Sequence, residues 1–510
     1  MVEKKRSNLS KKVSVSILSI IILSAVIFYA GYTYGISYGS GLPSSIIESG
    51  SMVSGYSYTI FTDGVTYWAK NGTTGAIDYS GTSASTVIQS AINALTVGRT
   101  WKETVVLKGD LGYVHDITVP AYTTIEGSDA KLKLPSDKTY IFKGVSPAGD
   151  NVEFRNICFE AITTNRTVEP IGIDLGVPSN TQVANVKFEN CEFLNFVYTS
   201  GTPSGIRGNY KGLTIFNCDF SFVSGVGNSY QIYLGGGEDI RVIGNRFFTN
   251  FAGNGLYAYQ TKKIKVLANH FETGNLTAPV EAIDFESVVD AKVVGNDFYN
   301  ISLSGVATGS QAVSGSSSDI LIMANNFRSC GKVHTAKRGA VSINDPSGGT
   351  QPADRIEIIG NIAYDCDTGI VCSGEYGRII ANKIKVAFNW VEGGKYPIVL
   401  YGNNFNVCLI GNTFRNNTNP PYIEAGGTLY AKFNEGFVTE NSGTATILSG
   451  NTSVTFAHGL AGTPTLVTLG ATHAEVADAI WSADAINITI TVPSAVSANR
   501  NISWSAEYKP

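Results

Sequence analysis

Three stretches decide the reading of this chain: RVIGNRFF at 241–248, KVLANHFE at 265–272 and KVVGNDFY at 292–299. Each alternates apolar residues, turns at a small residue followed by Asn, and resumes with an aromatic two positions later. Period-two alternation is the mark of a strand, and no 3.6-residue period runs through these segments. The pattern extends in both directions, as VEFRNICF, VKFENCEF and LTIFNCDF before it, and LIMANNFR, EIIGNIAY, KVAFNWVE and CLIGNTFR after it. The register position is held by Ile157, Cys191, Cys218, Asn245, Asn269, Asn296, Asn325, Asn361, Asn389 and Asn412, a mean step of about 28 residues.

A step of that size holds three short strands and their turns. Repeats of this kind stack so that each buries its neighbour's apolar face. The expectation is a parallel β-solenoid of about ten coils, a rod of roughly 50 Å at ~4.8 Å per coil. Asn recurs because its side chain can bond backbone at a bend and bond the same residue one coil away. Cys191 and Cys218 replace it as small buried groups. Cys330 and Cys366 share another register position, where a disulfide or two free thiols would both fit.

The repeat resembles the right-handed parallel β-helix of the pectate-lyase-like superfamily, which includes polysaccharide lyases, glycoside hydrolases and viral tailspikes. The segment SASTVIQSAINAL, Ser83 to Leu95, supports the resemblance. It reads as an amphipathic helix with Val87, Ile88, Ala91, Ile92 and Leu95 on one face. ETVVLKGD and HDITVPAYTTIEGSDAKLKL follow as strands. This order is similar to the N-terminal cap of such proteins, which covers otherwise unpaired strand edges. The resemblance implies the fold strongly and the activity weakly, because one fold hosts many chemistries. Beyond residue 442 the period is lost, and short alternating strands broken by Gly, Pro and Asn imply a small β-sandwich.

At the other end, residues 1–12 carry a net charge of +4, and Val13 to Tyr34 is a 22-residue stretch without charge. That length spans a ~30 Å hydrocarbon layer. The basic flank places it as a single-pass anchor in the cell membrane, with the rest of the chain outside. A cleaved signal peptide is the competing reading, but Phe28-Tyr29-Ala30 lacks the small residue expected before a cut. The expected organisation is therefore flank and anchor over 1–34, a Gly/Ser/Tyr-rich tether over 35–62, the β-helix over 63–442 and the sandwich over 443–510. Eight Asn-x-Ser/Thr triplets beyond the anchor fit an exported glycoprotein.

Composition narrows the chemistry. The 510 residues are 43% hydrophobic and 15% charged, with net charge −4. This gives no electrostatic case for a nucleic-acid partner. Seven cysteines cannot all pair within one chain. No Cys-x-x-Cys or clustered Cys/His spacing for zinc occurs, and GGGED at 235–239 lacks the lysine of a phosphate loop. The catalytic patterns of polygalacturonases and classical pectate lyases are also absent.

Phasing the strand about twelve residues before each register Asn exposes one face. With Ile232 and Leu234 inside, Gln231 and Tyr233 lie outside. With Leu256 and Ala258 inside, Tyr257 and Tyr259 lie outside. With Ile283 and Phe285 inside, Asp284 and Glu286 lie outside. With Val341 and Ile343 inside, Ser342 and Asn344 lie outside. Tyr rings have flat apolar faces and polar tips that suit sugars, although Tyr also favours strands for its own sake. Asp284 and Glu286 are ~6.6 Å apart at Cα. They could serve glycoside hydrolysis, bind Ca²⁺ or form a plain solvated acidic patch. The insertion GKVHTAKRG at 331–339 supplies His334, Lys337 and Arg338, either as a basic turn or as the groups that neutralise a uronate and move a proton. The expected partner is a polysaccharide or cell-surface glycan. The chain is then a lyase, a hydrolase or a non-catalytic adhesin or spike, and the terminal module could also join it into a homotrimer.

Overall fold

The computed structural model describes residues 55–509, apart from 145–148, 177–181, 226, 310–316, 333–337, 345–352, 374–379, 401–403 and 424–426, and gives backbone only at 344, 371–373, 380–382 and 404–405. The expected anchor and most of the expected tether fall outside these residues, as do His334 and Lys337. Among the described residues no helix is long and apolar enough to cross a membrane.

Alternation in each repeat becomes three parallel strands per coil. In one coil they are Ala252–Tyr259, Thr261–Leu267 and His270–Thr273, and each pairs in register with its counterpart in the next coil: Val280–Glu286, Val289–Val294 and Asp297–Tyr299. Among the described residues 37 strands join one sheet, parallel except for Tyr67–Asn71 and Ile77–Gly81, which attach antiparallel at the N-terminal end, and together they build a right-handed parallel β-helix of about ten turns. We call the three stacks the first, second and third sheets, in chain order within a coil.

The register Asn side chains lie buried between the second and third sheets. The Oδ1 of Asn269 accepts both the backbone N–H and the Nδ2 of Asn245, each at 2.9 Å. The same double bond repeats through Asn296, Asn325, Asn361, Asn389 and Asn412 to Asn434, one coil further than the sequence pattern showed. A buried amide is tolerated only when its donors and acceptor are met, and stacking identical residues meets them. The residue before each turns with positive φ, which explains Gly244 (φ 66°) and Gly295 (φ 67°) at those places.

Two residues after the Asn, Phe220, Phe247, Phe271, Phe298 and Phe327 stack face to face inside the rod, with ring centroids 4.5–5.1 Å apart. Cys191, Cys218, Cys330 and Cys366 are buried free thiols, so Cys330 and Cys366 stack without a disulfide.

Helix α1 spans Ala84–Asn93. Ser83 is its N-cap, its Oγ accepting from the Thr86 N–H. Val87, Ile88, Ala91 and Ile92 are buried, and the helix packs against Tyr67–Asn71, Ile77–Gly81 and Glu103–Tyr113. Tyr58–Thr62, inside the stretch expected as tether, is a strand of the first coil with Ile60 fully buried. Its apolar alternation, masked by neighbouring Ser and Tyr, pairs it with Val105–Leu107. At the other end, two antiparallel three-stranded sheets share a core of Ile447, Val476, Ile488, Ile490 and Ile502.

Candidate functional site

The first sheet carries the face selected from the sequence. Ile232, Leu234, Leu256, Ala258, Ile283 and Phe285 all point inward and are fully buried, so Tyr233, Tyr257, Tyr259, Asp284 and Glu286 are left on the outside. Parallel pairing places Arg207, Tyr233, Tyr257 and Asp284 in one column along the rod. Tyr259 and Glu286 stand side by side in a second column.

Two outward assignments are corrected. Gln231 is buried, its Nε2 donating to the carbonyl oxygens of Phe220 and Phe248. It occupies an inward column whose other members are small, because the phenylalanine stack lies opposite. At Gly255 an added Cβ would stand 3.0 Å from the Phe271 ring. The long amide fits there only by satisfying itself on backbone carbonyls. Ser342 keeps its column but is covered from solvent, accepting a 2.9 Å hydrogen bond from the Ser304 hydroxyl. Asn344 lies in a strand whose backbone alone is described at that residue.

Gln231–Ile232, Gly255–Leu256 and Ala282–Ile283 are consecutive buried pairs, and the residue before each, Tyr230, Asn254 or Glu281, falls in a third column that strict alternation would have placed inside. Tyr230 and Glu281 are half-buried there, and Asn254 is buried against Asp284. The doubled small or apolar residue in NGL and EAI was the available signal, and YQI lacks it.

These columns build a continuous surface. The Tyr233 and Tyr257 rings stack at 4.9 Å and 22°. Tyr230 stands edge-on to both, at 5.5 Å and 5.8 Å. The Tyr257 hydroxyl donates to Glu286 Oε2 at 2.6 Å. Asn254 Nδ2 donates to Asp284 Oδ2 at 2.9 Å. Arg338 joins the group through Glu281, Nη1 to Oε1 at 3.1 Å, with both side chains largely buried. The guanidinium expected to meet a substrate carboxylate is therefore engaged by a protein carboxylate. At the opposite end of the tyrosines, Arg207 bonds Asp174 at 2.9 Å and the Tyr140 hydroxyl at 3.2 Å, and lies 3.6 Å from Glu169.

The electrostatics follow from this crowding. Burial, then the negative charges of Glu281 and Glu286, push the Asp284 carboxyl well above the ordinary carboxylate range, while the Asn254 amide pulls the other way. Asp284 thus holds its proton to a higher pH than an ordinary carboxylate does. Burial and the Glu286 carboxylate likewise push the Tyr257 phenol far up, so it remains a donor. An acid poised to donate, beside a second carboxylate and flat rings, can bind a sugar and protonate a glycosidic oxygen. Among the described residues no group of three or more His, Cys, Asp or Glu side chains is arranged to hold a metal ion.

A family model described as a right-handed β-helix region matches residues 150–327. No protein of curated function matches the sequence. Among solved structures, the chain is similar to PfbA, a surface adhesin of Streptococcus pneumoniae, at 14% identity, covering 67% of this chain and 90% of that one, with a TM-score of 0.49. It is similar to a tailspike protein mutant of E. coli bacteriophage HK620 in complex with a pentasaccharide, at 9% identity, covering 83% and 89%, with a TM-score of 0.48. It is also similar to the catalytic domain of a GH87 α-1,3-glucanase in complex with nigerose, at 13% identity, covering 68% and 67%, with a TM-score of 0.43. At these identities and scores, none of the three bears on what this chain does.

Proposed function

We propose that the outer face of the first sheet binds a polysaccharide and hydrolyses it. The observation that carries this reading is the stacked Tyr233–Tyr257 pair leading directly, in one column, to Asp284, which is crowded by Glu281 and Glu286 so that its carboxyl is pushed upward. Tyr233, Tyr257 and Tyr259 line the surface with apolar ring carbons and phenol hydroxyls suited to sugar rings. Asp284 donates a proton to the leaving oxygen, and Glu286 is the second carboxylate of the pair. Arg338 positions Glu281 beside Asp284 through their ion pair. Incubating the chain with a glycan panel while following reducing ends and absorbance at 235 nm tests the reading. New reducing ends without 235 nm absorbance support hydrolysis, absorbance at 235 nm indicates a lyase, and binding without either leaves a non-catalytic adhesin or spike. One observation favours that last reading: Glu281, Asp284 and Glu286 are each already engaged by a protein group.

The setting is part of the proposal. Val13–Tyr34 is a retained membrane anchor with the β-helix outside the cell, supported by the uncharged stretch behind its +4 flank. A mature N-terminus between residues 30 and 45 would overturn retention. Helix α1 caps the first coil, supported by its five buried apolar residues. The two terminal sheets form a β-sandwich that joins copies into a homotrimer, supported by the exposure of Leu466, Ile480, Trp481 and Ile486 on it. The mass of the purified chain in solution tests that assembly.

A further inference from the structure

We infer that the tyrosine face receives the end of a glycan chain and not its interior, so that cleavage there is exo-acting. The inference rests on the reading of the face as a glycan site and adds which part of the polymer it takes.

The observation is an abrupt change in exposure along the first sheet. Three outward columns run up the rod, and all three close at the same coil. In the column of Tyr233 and Tyr257, Asp284 is still half-exposed, whereas Ala307 is 3% exposed and Ser342 and Val399 are fully buried. In the column of Tyr259 and Glu286, the next residue, Gly309, is buried. In the column of Tyr230 and Glu281, the next residue is Ser304, also fully buried. The composition changes with the exposure. Val306–Gly309 is buried along its whole length, and the outward positions pass from Tyr, Asp and Glu to Ala, Gly, Ser and Val. A strand covered on both faces loses its polar members in this way. Arg338 stands at the boundary, reaching from the next coil to Glu281 at 3.1 Å.

The opposite end of the face stays open. Arg207, one coil before Tyr233, is half-exposed, as are Tyr140 and Glu169 beside it. The open column from Arg207 to Asp284 covers three coil steps, ~14 Å. A glycan lying along it extends past Arg207 in one direction and meets filled space one coil beyond Asp284 in the other. A packed interior leaves no room for a sugar ring, so a chain that reaches Asp284 ends within about one residue of it. Hydrolysis there breaks one glycosidic C–O bond. Asp284 gives its proton to the leaving oxygen, water supplies hydroxide to the anomeric carbon, and the second proton of that water passes to Glu286. The product is a mono- or disaccharide taken from the chain terminus.

The test titrates the full-length chain with tri- and hexasaccharides of the cello-, laminari-, chito- and galacturonate series. Each is used free, coupled to an aromatic amine at the reducing end, or carrying a bulky ether at the non-reducing end. A cap on one end should weaken binding of the hexasaccharide by about tenfold or more, and a cap on the other should leave it within about threefold. The free hexasaccharide should bind within about threefold of the trisaccharide, because the open column holds only about three sugars. Products should be mono- and disaccharides from the first turnovers, with polymer viscosity falling slowly. Binding indifferent to both caps, or early internal cuts, with either lost in Tyr233→Ala/Tyr257→Ala, overturns the inference and leaves the glycan site standing. No binding of any probe, or binding indifferent to that double change, overturns both.

Discussion

Tyr257 and Glu286 are joined across adjacent coils by a 2.6 Å hydrogen bond from the phenol to the carboxylate. The two residues are 29 positions apart, one turn of the helix. The bond ties the aromatic shelf to the acidic group, so the two parts are separable by substitution. Tyr257→Phe keeps the ring and removes the bond. Glycan binding should stay within about threefold of the parent, consistent with the modest net worth of one such hydrogen bond. Tyr257→Ala with Tyr233→Ala removes both rings and should weaken binding by about tenfold or more. Calorimetric titration distinguishes these outcomes.

Asp284→Asn retains the shape and the Asn254 neighbour but cannot donate the catalytic proton. Release of reducing ends should fall by about 10²-fold or more, while binding is preserved. The same change reports on folding. Because the native carboxyl titrates above its unfolded value, its contribution is fully favourable below about pH 4 and is lost as pH rises toward the native value. The Asn variant should therefore match the parent in melting temperature near pH 4 and exceed it near pH 7. A variant that melts lower at both pH values would contradict the assignment.

Glu153 titrates in the opposite sense. Burial opposes its ionisation, but hydrogen bonds from Arg155 and Lys102 bring its carboxyl down to about 2. Lys102 lies 2.7 Å away, Arg155 2.9 Å and Lys187 3.4 Å. Its stabilising contribution is present above pH ~4.5 and disappears as pH falls through about 2. Glu153→Gln leaves these cations without their carboxylate and should cost about 3 kcal/mol at pH 7. Thermal unfolding at pH 7 and pH 2.5 should show the deficit shrinking with acid.

Asn296 makes four hydrogen bonds inside the ladder. It accepts two from Asn269, and it donates to Val266 O and Asn325 Oδ1. Asn296→Ala strands donors and acceptors in three neighbouring residues. The loss should be about 3 kcal/mol or more, given ~1–3 kcal/mol for a buried unsatisfied group. Denaturant unfolding would measure it, and hydrogen exchange should show the opening centred on the adjacent coils.

Much of the architecture was legible in the residues alone. The Asn ladder, the phenylalanine stack and the inward placing of Ile232, Leu234, Leu256 and Phe285 all follow from patterns repeated ten times. A one-residue slip would expose every apolar side chain on a strand, so the register has no close competitor. The amphipathic helix at Ala84–Asn93 was visible for the same reason, since burial of one face leaves a periodic trace.

The composition of the candidate site was decided in space. Glu281 and Tyr230 face outward, with Asn254 buried in the same column, because two consecutive residues turn inward beside the phenylalanine stack, a departure from alternation that depends on what lies opposite. Gln231 went inside for that reason, fed by the carbonyls of Phe220 and Phe248. Arg338 meets Glu281 although 57 positions separate them. The upward shift of the Asp284 carboxyl arises from burial and from two carboxylates brought close by folding. Apolar burial is additive along a strand and writes itself into sequence as periodicity. Charge coupling depends on distances between coils and on the water excluded there, which no local pattern records.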